Sequence, residues 1–155
     1  MRGPINPRVK NILSALAVAV LGFILLNITF LLNFLLFKLI DLSLPHELVS
    51  AFQWFPMVRH ALFLVIIMLV SWAVLRSKLS TLYKAIYLIV PVAVVIVSIG
   101  IFMYQWPPAA YLVAGIFTAG ILFYLYCMRQ PWLYYYAVLL VALTLMVFTL
   151  LGGQI

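Results

Sequence analysis

The side chains best suited to chemistry lie close together in the sequence. The stretch from His46 to His60 contains both histidines and one of the two acids, Glu47, and the other acid, Asp41, comes shortly before it. Imidazole and carboxylate groups are zinc ligands and acid–base groups. Their spacing matches no metal-binding motif, however, because Pro56 is expected to break the helix between the two histidines. A metal or acid–base site formed by His46, Glu47 and His60 is therefore a minor alternative to a plain interfacial segment.

The rest of the chain offers few reactive groups. No Asp or Glu occurs from Leu48 to Ile155, so carboxylate relays, paired-acid catalysis and magnesium-dependent phosphoryl transfer have no residues to use there. Cys127 is the single cysteine, which excludes an internal disulfide and a four-thiolate zinc site. We therefore expect no cofactor, and the inventory favours a protein that is not an enzyme.

The composition predicts that the elements holding these residues lie in a membrane. The chain has 155 residues, of which 69% are hydrophobic and only 7% are charged, whereas a soluble domain has roughly a quarter charged residues. The net charge of +7 does not predict nucleic-acid binding, because the basic residues are scattered between apolar runs instead of being gathered on one water-facing surface. Membrane topology and contact with anionic lipid headgroups explain the basic excess better.

Five segments are long and apolar enough to cross a bilayer, which takes about 20 apolar residues. They are residues 12–37, 58–75, 85–104, 109–128 and 132–151. The second is the shortest, with 16 residues between Arg59 and Arg76, whose long side chains can reach outward to the headgroups. The sequence therefore predicts an all-α, polytopic integral membrane helical bundle with five transmembrane helices in a single domain.

The distribution of Lys and Arg predicts the orientation of this bundle. With the N-terminus in the cytoplasm, seven basic residues are cytoplasmic, and only Lys38 and Arg59 are outside. This is the expected cytoplasmic bias, so the N-terminus is predicted inside and the C-terminus outside, in a cytoplasmic or plasma membrane. The Tyr and Trp residues avoid the middles of the spans, which is typical of aromatic belts at the two interfaces.

The first outer loop is predicted to contain a short helix that lies in the outer interface. Ser43 can cap this helix, Pro45 suits its first turn, and Pro56 ends it. Leu48 and Phe52 recur at helical spacing and give the helix an apolar face for lipid.

The first span carries a stripe of small and polar residues on one face. At 100° per residue the stripe members share one direction, and they are Ala15, Ala19, Gly22, Thr29 and Asn33. Small residues let helices approach closely, and Thr or Asn can hydrogen-bond across the contact. We favour packing against the chain's own spans over the lining of a cavity. Asn27 lies about 120° from the stripe, and its amide needs a partner from this chain or from another subunit.

Four basic residues are predicted to contact lipid headgroups on the cytoplasmic side, beside a group of tyrosines. They are Arg76, Lys78, Lys84 and Arg129. Anionic headgroups are the default partners of such a surface. A specific site for a phospholipid or a lipid-linked substrate, with Arg129 at its rim, is an alternative.

Three functional hypotheses follow from these observations. The favoured one is a non-catalytic subunit or scaffold that packs with membrane lipids and with a homo- or hetero-oligomeric membrane partner. The first alternative is a small oligomeric transporter or channel for a lipid or small solute, suggested by Pro91, Gly100 and the polar residues of the first span. The second alternative is the outer-face metal or acid–base site around His46.

Overall fold

The computed structural model describes residues 6–43 and 55–150, and within these ranges the chain forms helices and turns without a strand. The five helices of these ranges are α1 (Pro7–Ser43), α2 (Phe55–Arg76), α3 (Thr81–Phe102), α4 (Pro107–Cys127) and α5 (Trp132–Leu150). The predicted all-α helical membrane bundle is confirmed. The predicted interfacial helix and its residues His46 and Glu47 lie outside the described residues. Ser43, expected to cap that helix, is the last residue of α1, where its hydroxyl donates to the carbonyl of Leu39.

Helix α1 is longer than the span predicted for it. Its 37 residues correspond to about 55 Å at 1.5 Å per residue, whereas the hydrocarbon of a bilayer is roughly 30 Å thick. Arg8 and Lys10 lie in its first turns and Lys38 and Asp41 in its last turns, so both ends are polar. The additional turns therefore place charged residues beyond the apolar part of the helix.

Helix α3 is the centre of the bundle and packs against each of the other four helices. Its sequence is apolar on every side and rich in Val and Ile, as expected of a helix without a solvent face. Ala85 and Ala93 are fully buried and allow neighbouring helices to approach closely. Val18 of α1 and Val138 of α5 complete the same core.

Contacts between particular residues give the directions of the helices. His60 of α2 contacts Ser98 of α3, and Ser71 contacts Tyr87, so these two helices are antiparallel and aligned over most of their length. Gly22 of α1 lies against Ile89 of α3, and Phe37, farther along α1, contacts Phe63 in the first half of α2. Because the first half of α2 lies beside the second half of α3, α1 runs parallel to α3. The short turns before α4 and α5 each reverse the chain.

Four of the helices, α1, α3, α4 and α5, are long and apolar enough to cross a membrane, whereas the apolar part of α2 is the shorter stretch His60–Arg76. The chain is therefore a multi-pass membrane protein. It stays a prediction that α2 also crosses the membrane. The register of α2 with α3 supports this prediction, because Ser98 lies beside the beginning of α2 and Lys84 lies beside the end of α2.

Candidate functional site

A groove of about 530 Å³ opens on the surface of α3, between α2 and α4. It exists because α2 and α4 each pack on a different side of α3. Residues from all three helices, from the α4–α5 turn and from α5 line it, and they include Met68, Ser71, Leu75, Lys84, Leu88, Pro91, Val92, Val95, Phe117, Ile121, Tyr124, Gln130 and Tyr134.

Among the described residues, Lys84 supplies the only charged side chain in the lining of this groove. It lies in the first turn of α3, and its Nζ donates a 2.8 Å hydrogen bond to the carbonyl oxygen of Leu75, in the last turn of α2. The last carbonyls of a helix have no partner within that helix, so Lys84 satisfies a group that would otherwise need water. An ammonium group has three donors, and two remain for another acceptor.

Three uncharged polar residues lie at the same end of the groove. They are Tyr124, Gln130 and Tyr134. The position of Gln130 follows from the end of α4, where Arg129 adopts a left-handed conformation (φ 48°) and the Gln130 N–H donates to the carbonyl of Leu125. Tyr134 is buried in the first turn of α5. None of the three side chains is bonded to another lining residue in the part of the chain that the structure describes.

Apart from Ser71, the remainder of the groove is apolar, and the α3 residues that line it extend no farther than Val95. Its wall on α3 extends from Lys84 through Pro91 to Val95, which is about 16 Å along the helix axis. This is close to half of the roughly 30 Å hydrocarbon thickness. The groove therefore has one polar, basic end, and its apolar part is about as deep as one leaflet.

His60, one of the candidate metal ligands, makes an interhelical hydrogen bond. Its Nε2 lies 2.9 Å from Oγ of Ser98, a residue that is only 2% exposed. The Ser98 hydroxyl donates to the carbonyl of Val94 at 2.6 Å, so Nε2 is the donor to Ser98. The described residues contain no group of three or more His, Cys, Asp or Glu side chains that could hold a metal ion.

A second polar contact joins α2 to α3 about three turns away. Ser71 donates to the carbonyl of Ile67 at 2.6 Å, and its Oγ lies 3.3 Å from the hydroxyl of Tyr87. Neither serine contact was predicted from the sequence, because the partners are on different helices and their pairing depends on the register between the helices.

The stripe of α1 and Asn27 face different surroundings. Gly22 is buried against Ile89, and Thr29 is half-buried and donates to the carbonyl of Leu25. Oδ1 of Asn33 is enclosed and has no hydrogen-bond partner among the described residues. Asn27 is exposed, and its Nδ2 donates to the carbonyl of Phe23 at 2.8 Å. The stripe thus lies towards the bundle, and Asn27 lies on the outer surface.

The four candidate headgroup residues lie at one end of the bundle, but they are not equivalent. Arg76 stacks on its neighbour Trp72, with the guanidinium carbon 4.4 Å from the ring centroid. Lys78 and Arg129 are exposed in the turns. Of the four, Lys84 alone lines the groove.

The helices and the groove define the class of this chain: it is a multi-pass helical membrane protein with a groove that opens sideways at the basic end of the bundle. Comparison with protein-family models, with curated proteins and with solved structures found no match in any of the three.

Proposed function

We propose that this chain is a non-catalytic subunit that assembles with a further membrane-spanning protein through the outer face of α1. The single observation that carries this proposal is the exposed amide of Asn27. Asn27 is two residues from the middle of α1, so its side chain projects from the central part of the helix. In hydrocarbon, a polar group without a partner costs several kcal/mol, which favours association.

The surroundings of Asn27 support an interface between helices. One amide hydrogen is satisfied by the carbonyl of Phe23, and Oδ1 has no hydrogen bond among the described residues. Only Val18 and Gly22 of α1 are fully buried, so most of this long helix is available for contact. A donor from a neighbouring helix at Oδ1 would contribute about 1–2 kcal/mol.

Self-association can be measured with the chain's own cysteine, because Cys127 is exposed. Protein labelled there with donor or acceptor dye is reconstituted into phosphatidylcholine vesicles, and energy transfer is followed against protein density. For the variant Asn27→Leu we expect the association constant to fall roughly 5- to 30-fold, the equivalent of about 1–2 kcal/mol. The mass of the complex purified in mild detergent identifies a partner other than a second copy.

Thr144→Val is the matched control for this experiment. Thr144 is also exposed on a helix, α5, and its hydroxyl donates to the carbonyl of Leu140. This change should leave association unaltered. A protein that is monomeric in vesicles and copurifies with no other protein would refute the proposed assembly, as would equal effects of the two substitutions.

The proposal includes the predicted orientation, with the N-terminus in the cytoplasm of a plasma or cytoplasmic membrane. The helix directions support it, since they bring Arg8, Arg76, Lys84 and Arg129 to the same end of the bundle. In a Cys127→Ser background, a cysteine placed at Lys78 should react only with a membrane-permeant reagent, whereas one placed at Gln105 should react with an impermeant one. The opposite pattern of reactivity would show that the N-terminus lies outside.

The transporter or channel alternative has less support than the subunit proposal. The groove ends near Val95 and leads to one end of the bundle. A route across the membrane would need a polar path through the other half, and the described part of α3 is apolar there except for Ser98.

A further inference from the structure

We propose that the groove between α2 and α4 binds one anionic phospholipid from the leaflet at the basic end of the bundle. The phosphate contacts Lys84, and an acyl chain follows α3 past Pro91 towards Val95. This inference requires that the chain spans a membrane, but it does not depend on assembly through Asn27.

The charge of the groove favours an anionic ligand. Asp41, in the last turn of α1, lies at the opposite end of the bundle from Lys84, and no acid follows Glu47 in the sequence. Among the described residues, Lys84 therefore has no carboxylate to neutralise it. Its ammonium group donates one hydrogen bond, to Leu75, which leaves two donors for phosphate oxygens. Hydrogen bonds between charged groups are the stronger ones.

The uncharged groups around Lys84 also suit a phospholipid headgroup. The Gln130 amide and the Tyr124 and Tyr134 hydroxyls can donate to phosphate or ester oxygens, and all three residues line the same end of the groove. Tyrosine is favoured at this depth, where the ring contacts hydrocarbon and the hydroxyl meets the headgroups.

The depth and lining of the groove match one lipid better than another helix. A lipid acyl chain occupies one leaflet, and the groove is about half as deep as the hydrocarbon is thick. A transmembrane helix of a second copy would extend through both leaflets, beyond Val95 where the groove ends. The α3 and α4 walls below Lys84 are apolar, with Leu88 and Val92 from α3 and Phe117 and Ile121 from α4.

Native mass spectrometry of the full chain in detergent tests the headgroup contact. Phosphatidylglycerol or phosphatidylcholine is titrated into the delipidated protein, and the apparent Kd for the first bound lipid is measured. We expect one phosphatidylglycerol to bind at least about tenfold more tightly than phosphatidylcholine. Lys84→Gln should weaken phosphatidylglycerol binding by roughly tenfold, because the amide carries no charge. Lys84→Arg should retain most of the affinity.

Lys78→Gln is the matched control, because it removes one positive charge at the same end of the bundle from a residue that does not line the groove. It should change the Kd less than twofold, and unfolding of each variant in the same detergent verifies that it is folded. Equal losses for Lys78→Gln and Lys84→Gln would show a general basic surface, and equal binding of the two lipids would show that charge is not recognised. Either result would overturn the proposal.

The acyl chain is tested separately by filling the deep end of the groove. Val95→Phe should weaken phosphatidylglycerol binding several-fold, whereas Val147→Phe, on the exposed surface of α5, should not. Unchanged binding by Val95→Phe would contradict the path assigned to the chain. A dimer that binds no lipid would show that a second copy covers the groove. Asn27→Leu should leave lipid binding unaltered, so failure of the assembly proposal can be distinguished from failure of this one.

Discussion

The contact between α1 and α3 at Gly22 gives the sharpest test of the packing. A Cβ added at Gly22 would overlap Cδ1 of Ile89 and lie 3.2 Å from its Cγ1. Ile89 is 3% exposed, so its side chain has little room to move aside. Overpacking of this kind costs typically about 1–3 kcal/mol, whereas an alanine in place of glycine within a helix gains about 1 kcal/mol.

Two other glycines separate these opposing effects. Gly115 and Gly120 are in α4, and a Cβ added to either meets nothing within 4 Å. The intrinsic gain for the helix is the same at all three positions, so it cancels when the variants are compared. We therefore expect Gly22→Ala to be less stable than Gly115→Ala or Gly120→Ala by about 1–3 kcal/mol.

A double-mutant cycle then identifies the atoms responsible. Ile89→Val removes Cδ1, the atom that the new methyl group would overlap, and by itself costs about 0.5–1.5 kcal/mol. Combined with Gly22→Ala, it should recover part of the lost stability, with a coupling of at least about 0.5 kcal/mol. Recovery is incomplete, because the 3.2 Å approach to Cγ1 remains.

The assay is equilibrium unfolding in mixed micelles of dodecyl maltoside and sodium dodecyl sulfate, followed by far-ultraviolet circular dichroism. If Gly22→Ala and Gly115→Ala were equally stable, or if Ile89→Val and Gly22→Ala were strictly additive, α1 would not cross α3 at Gly22 and the arrangement of the bundle would be wrong.

Two further predictions use the same assay. A cycle of His60→Leu and Ser98→Ala should give a coupling between about 0.6 and 1.7 kcal/mol, the average and the maximum for hydrogen bonds between membrane helices. Zero coupling would mean that the bond does not form. Asn33→Leu should leave the free energy of unfolding unchanged or raise it by about 1 kcal/mol, because the enclosed Oδ1 has no partner among the described residues. A loss of stability above about 2 kcal/mol would show an unseen hydrogen bond.

The positions of the helices follow closely from the sequence. The predicted segment 132–151 corresponds to Trp132–Leu150, and 109–128 corresponds to Pro107–Cys127. The agreement has a physical cause, since a backbone in hydrocarbon must satisfy its own hydrogen bonds and the thickness of the bilayer fixes the length of each helix. The extra turns of α1 were not predicted, because hydropathy detects where an apolar segment ends and not where the helix ends.

The arrangement of the helices around α3 could not be read from the sequence in the same way. Apart from the small and polar stripe of α1, the spans are apolar on all sides, so periodicity does not show which side faces the bundle and which faces lipid. The sequence placed Lys84 at the edge of a span, but the groove beside it also depends on Phe117 and Ile121, which approach only because α4 packs on one side of α3. The pairing of His60 with Ser98 likewise depends on the register of an antiparallel pair.

The backbone turn at the end of α4 places a positively charged residue at the basic end of the bundle. A left-handed residue after a helix is usually glycine, and the conformation costs another residue roughly 1 kcal/mol or more. This chain has Arg129 there, with its N–H bonded to the carbonyl of Tyr126 and the next N–H bonded to Leu125. Glycine would form the same turn at a lower cost but without the charge. The turn therefore carries a cation beside Gln130, at the same end of the groove as Lys84, where an anionic headgroup would benefit from it.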